Sequence, residues 1–99
     1  MTTTNISIAV NGKTIAMDKF TSSFVTSVVS GILQALKTPA SVGRVVLKIT
    51  GQEVDININA EDVPLNPFVN NFVLNTVTGM VSSLRDVELP VKTLTLELA

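Results

Sequence analysis

One stretch of this chain occurs twice. Residues 20–37, FTSSFVTSVVSGILQALK, return 48 positions later as residues 68–85, FVNNFVLNTVTGMVSSLR. Phe20, Phe24, Val25, Val29, Gly31 and Leu36 meet the same residue type at Phe68, Phe72, Val73, Val77, Gly79 and Leu84, and Lys37 meets Arg85. Apolar residues recur in both copies at the three-to-four spacing of a helix face. The fold must therefore house two helices of one pattern. Their starts repeat as well. Asp18 and Asn66, also 48 apart, are good N-caps, and Pro67 fits the first helical position, where no N–H is needed. Lys37 and Arg85 suit the C-terminal ends of the dipoles, and Pro39 stops the first helix.

Strands fill the intervals. In residues 5–18 the pair Asn11-Gly12 signals a two-residue hairpin turn, which needs positive φ at both central positions. That turn sets Val10 opposite Lys13, Ile8 opposite Ile15 and Ile6 opposite Met17, with the last two pairs apolar on one face. Residues 44–50, RVVLKIT, form the next strand. A turn at Thr50-Gly51 pairs Leu47 with Val54 and Val45 with Ile56, and puts Lys48 opposite Glu53. This second hairpin matches the first at an offset of 39, so about nine extra residues precede the second helix. They fall in residues 59–65, NAEDVPL, as a longer strand exit or loop. Residues 91–98 alternate Leu94, Leu96 and Leu98 with Thr95 and Glu97, a last strand with one apolar face.

The expected order is ββαββαβ in a single domain of 99 residues, with repeat units of roughly 5–50 and 44–98. The expected fold is a two-layer α+β sandwich with internal duplication. A mixed sheet of about five strands carries both helices on one face, and strand order is left open.

The helix surfaces are unusual. No charged residue occurs between Phe20 and Leu36 or between Val63 and Leu84, and charged residues make up 15% of the chain against the usual quarter or so. The apolar residues of the first helix cover a wide arc that includes Phe20 and Phe24, so all four Phe residues are expected in the core. Small residues form a line in each helix, Ser23-Ser27-Gly31-Ala35 and Asn71-Asn75-Gly79-Ser83, which suggests close helix–helix approach. Beyond the Phe side lies an apolar shoulder of Val29, Leu33, Leu74, Val77 and Val81. These five residues are the expected interface.

Composition removes many chemistries. The chain has no His, Cys, Tyr or Trp, so imidazole bases, thiolates and the common transition-metal sites are missing. No phosphate loop or nucleophile elbow is present. Asp55, Asn57 and Asn59 alternate along a strand and lack the Gly and terminal Glu of a calcium loop. Glu61-Asp62 and Asp86 with Glu88 are solvated acidic pairs in connections. A net charge of −1 offers nothing to nucleic acid or an anionic membrane. The N-terminus, MTTTNISIAV, has no basic region leading into a long apolar run, so a cytoplasmic location is expected and the sequon Asn5-Ile6-Ser7 is coincidental.

The residues thus suggest a non-enzymatic module for protein interaction or self-association, with no cofactor. The alternative is a small apolar ligand held between Phe20, Phe24, Phe68, Phe72 and the sheet.

Overall fold

The computed structural model describes residues 6–36, 43–84 and 87–98. Lys37, Arg85, Asn5 of the sequon, Asp86 and most of the first connection, with Pro39, lie outside them. The elements run β1 (Ile6–Val10), β2 (Lys13–Thr14), α1 (Lys19–Ala35), β3 (Val45–Thr50), β4 (Glu53–Ile58), β5 (Glu61–Val63), α2 (Pro67–Ser82) and β6 (Thr93–Leu98). Six strands form one sheet in the order β2-β1-β6-β3-β4-β5, and every pairing is antiparallel. The expected two-layer α+β architecture is present. The sheet is antiparallel rather than mixed, and has one strand more than expected.

The registers make three rows across four strands. Ile8, Leu96, Leu47 and Ile56 lie side by side, flanked by Val10, Leu94, Ile49, Val54 and by Ile6, Leu98, Val45, Ile58. All are buried except Ile6, which is half-buried. Val25, Val29, Ile32 and Leu33 of α1 and Val73, Val77 and Val81 of α2 complete the same core. The opposite face of the sheet carries Ser7, Lys48, Asp55, Asn57, Thr95 and Glu97 and stays open or half-open.

Both helix caps form as expected. The Asp18 carboxylate accepts from the Thr21 N–H at 2.7 Å, and the Asn66 side chain accepts from the Val69 N–H at 2.8 Å. The first hairpin turn also matches. Asn11 (φ 52°) and Gly12 (φ 82°) both adopt positive φ, with Val10 opposite Lys13 and the Ile15 N–H donating to the Ile8 carbonyl. β2 then ends at Thr14, short of any Ile6–Met17 pair.

The second hairpin shifts. Leu47 pairs with Ile56, Val45 with Ile58, and Lys48 with Asp55 instead of Glu53. The turn residues are Gly51 and Gln52, not Thr50 and Gly51. Gly51 takes φ 62° at the first central position, so Thr50 can remain in the strand with a negative φ. The extra residues before α2 form a third turn. Asn59 and Ala60 adopt φ of 52° and 68°, and Glu61 pairs back to Ile58 to start β5. Glu61 and Asp62 are therefore strand residues at a sheet edge. The Asn59 side-chain oxygen accepts from the Gly43 and Arg44 N–H groups and so ties this turn to the entry of β3.

The duplication is not confirmed by the fold. β1 and β3 both run antiparallel to β6, hence parallel to each other, while β2 and β4 flank them on opposite outer sides. Neither a shift along the sheet nor a half-turn carries one hairpin onto the other with its apolar face still inward. The copies seen in sequence take non-equivalent places.

Side-chain amides fasten the layers. Asn70, in the first turn of α2, accepts from the Val54 N–H and donates to the Gln52 carbonyl, both at 2.9 Å. This pins the start of the helix to the start of β4. Asn11 accepts from the Lys92 and Thr93 N–H groups and donates to the Glu88 and Pro90 carbonyls, which holds the approach to β6 against the first turn.

Two stability predictions result. Asn70→Ala strands a part-buried N–H and should lower unfolding free energy by about 1–3 kcal/mol in urea titrations, whereas exposed Asn75→Ala should change it by about 0.5 kcal/mol or less. Ala60→Gly should raise stability by about 1 kcal/mol, because the Cβ that disfavours positive φ is removed.

Candidate functional site: the outer face of the helix layer

Each helix has one side on the sheet and one in solvent. The side on the sheet is the branched aliphatic stripe Val25-Val29-Ile32-Leu33 and its counterpart Val73-Val77-Val81. On a wheel of about 100° per residue, Phe20 and Phe24 lie some 120° or more from the centre of that stripe. They point outward, and so do Phe68 and Phe72. Their exposures are 76%, 58%, 73% and 59%. The expectation that the four Phe residues belong to the core is therefore overturned. The apolar arc of each helix is wider than a sheet can cover. The narrow, branched side chains take the sheet side and the rings are left out.

The expected interface is inverted by the same rotation. Val29, Leu33, Val77 and Val81 are buried against the sheet, and Leu74 is half-buried against the core. None of the four buried residues offers a surface to another molecule. The wheel of the sequence showed a wide arc with no mark on it for the sheet direction. Val25 and Val29 recur as Val73 and Val77 at i, i+4, but Phe20 and Phe24 recur as Phe68 and Phe72 at the same spacing, so recurrence does not tell the two sides apart.

The small-residue lines share the outer side with the rings. Ser23, Ser27, Gly31, Ala35, Asn71, Asn75, Gly79 and Ser83 are all exposed. A Cβ added at Gly31 or Gly79 would meet nothing within 4 Å. The lines therefore do not mark an approach of the two helices within the molecule.

Two grooves give the layout of this face. One, of about 500 Å³, is lined by Phe20, Phe24 and Val28 of α1 and by Thr76, Met80 and Leu84 at the end of α2. The other, of about 200 Å³, is lined by Ile32, Ala35 and Leu36 at the end of α1 and by Phe68, Val69 and Phe72 of α2. The start of each helix thus lies beside the end of the other, and the helices are antiparallel. The ring centroids of Phe20 and Phe24 are 6.1 Å apart, tilted by 46°. Phe68 and Phe72 repeat this at 6.1 Å and 44°. Such tilted pairs at i, i+4 hold each other in place on an open surface. Two bulky aromatic corners lie on one diagonal of the face and two corners of mainly small residues on the other, with exposed Gln34 the one long side chain at the end of α1.

Elsewhere there is little chemistry. Among the described residues, no group of three or more Asp or Glu is close enough together to hold a metal ion, and no helix is long and apolar enough to cross a membrane. A polar groove of about 340 Å³ by Ala16, Asp18, Thr21, Ser83 and Leu84 contains one carboxylate, which caps α1. Arg44 and Glu97 form an exposed ion pair at 2.6 Å on the open sheet face, a type that contributes little to stability. No family model matches the chain, and searches of curated proteins and of solved structures returned no match.

The rotation of the helices has a direct test. In chemical denaturation of dilute, monomeric protein, Leu33→Ala should cost about 2–5 kcal/mol, as a buried leucine does, whereas Phe24→Ala should cost about 1 kcal/mol or less, well under the 3–5 of a core phenylalanine.

Proposed function

We propose that this protein is a non-enzymatic interaction module whose docking surface is the outer face of α1 and α2. The supporting observation is the exposure of all four of its aromatic residues on one charge-free face. Contiguous apolar surface of this kind on a small protein marks a contact with another molecule. Magnitudes favour use of all four rings together. Covering the exposed part of one Phe removes on the order of 130 Å² from water, or about 3 kcal/mol as an upper figure. Association itself costs about 4–15 kcal/mol, so one ring does not suffice, whereas four together reach about 12 kcal/mol, within the range required.

The five residues of the expected interface are not part of this surface; Phe20, Phe24, Phe68 and Phe72 replace them. The small-ligand alternative also loses its place. It required the rings to enclose a space with the sheet, and they face the other way.

A photo-crosslinking amino acid at position 24, introduced in cells, should give covalent protein adducts. The same amino acid at Thr95, on the open sheet face, should give none. Equal labelling at both positions, or none at 24, overturns the proposal.

A further inference from the structure

We infer that the molecule covering this face is a second copy of the same chain, joined through a half-turn axis lying in the plane of the helix layers. This inference rests on the docking surface proposed above and names its occupant. Three features of the face carry it.

The first is shape. The aromatic pairs occupy one diagonal of the face, and the small-residue segments Ser27-Gly31-Ala35 and Asn75-Gly79-Ser83 occupy the other, because the helices are antiparallel. Turn a copy over about an in-plane axis, either along the helices or across them. Each aromatic corner then lies on a small-residue corner of the other copy. Rings meet mainly small residues at all four corners, Gln34 beside Gly31 being the one long side chain there, and no ring meets a ring. The open space around Gly31 and Gly79, where an added Cβ touches nothing, is what the facing ring fills. This also gives the two helix glycines a role. Each lowers helix propensity by up to about 1 kcal/mol relative to Ala, and no contact inside the monomer requires them.

The second is charge. In an isologous interface a charged group near the axis meets its own image. No Asp, Glu, Lys or Arg occurs from Phe20 to Leu36 or from Val63 to Leu84. Within these two stretches face-to-face pairing sets no like charges together; Lys19, the first residue of α1, is the one charged residue of the described helices. A strongly charged partner would gain nothing from this face.

The third is area. α1 has 17 residues. Two such helices side by side cover a footprint of roughly 25 by 20 Å, about 500 Å² in projection and more over the relief of the rings. That approaches the roughly 800 Å² per partner of a standard stable interface. The product is a four-layer sandwich with a sheet outside each pair of helices, and its polar sheet faces remain in water.

The test is sedimentation equilibrium on the purified chain and on two variants. The wild-type protein should be a dimer at about 100 μM. Gly31→Arg with Gly79→Arg adds bulk and charge where the rings are received. It should weaken association at least about 100-fold and leave the circular dichroism of the folded monomer intact, since Arg is a better helix former than Gly. Phe24→Ser with Phe72→Ser should also yield monomer. A wild-type dimer that survives the double Arg substitution overturns the seating of rings on small residues. A wild-type monomer at about 1 mM overturns self-association altogether. Adducts of position 24 with a different protein would then still support the docking face, so the two failures are distinguishable.

Discussion

The structure depends on β6. It is the last strand in sequence and a central one in space, paired with β1 on one side and β3 on the other. Ile6 pairs with Leu98 and Val10 with Leu94, contacts that span nearly the whole chain. Without β6 the sheet would be two separate groups of strands, each with a bare inner edge, and a two-stranded hairpin alone is marginal in water. With it, three rows of four aliphatic side chains run unbroken across the sheet. Both hairpin turns are also tied to the approach of this strand: the Asn11 N–H donates to the Thr93 carbonyl and the Gly51 N–H to the Lys92 carbonyl. Such long-range pairs cost more loop-closure entropy than local ones, the kind of contact that slows folding.

The rows of aliphatic residues also decide how the helices lie. A surface of Val, Ile and Leu accepts a stripe of similar branched side chains at close distance. Val25, Val29, Leu33 and Val73, Val77, Val81 supply that stripe. Once they are used, a second apolar surface remains on the far side of each helix, and the Phe pairs stand on it. The charge-free stretches from Phe20 to Leu36 and from Val63 to Leu84, the outward Phe residues and the two helix glycines all fall on the face proposed as the docking surface.

Local features were legible in the sequence because local chemistry produces them. Asp18 and Asn66 cap as expected, since a side-chain oxygen before a helix has the same N–H donors within reach in any fold. Asn11-Gly12 makes its turn because two positive φ angles are needed and these residues tolerate them. The second hairpin was harder. Thr50-Gly51 and Gly51-Gln52 both place a Gly at a permitted position, and the second is used with Thr50 kept in the strand, paired with Thr93 of β6 and Glu53 of β4. β5 was missed because its turn is Asn59-Ala60. Ala at positive φ carries no turn signal, and the Asn59 hydrogen bonds to Gly43 and Arg44 that support it come from a segment about 15 residues away.

The sequence by itself determined the number and caps of the helices, the alternation of the main strands, the α+β class, the lack of imidazole and thiol chemistry and the two long charge-free stretches. Each follows from residue type and short-range spacing. The tertiary structure alone decided the antiparallel strand order, the place of β6, and which half of each wide apolar arc faces the sheet. Those choices compare the packing of one whole surface against another, and a helical wheel contains no term for the surface it will meet. The proposed docking surface follows from that choice. The same rotation that buried Val29, Leu33, Val77 and Val81 put Phe20, Phe24, Phe68 and Phe72 outside.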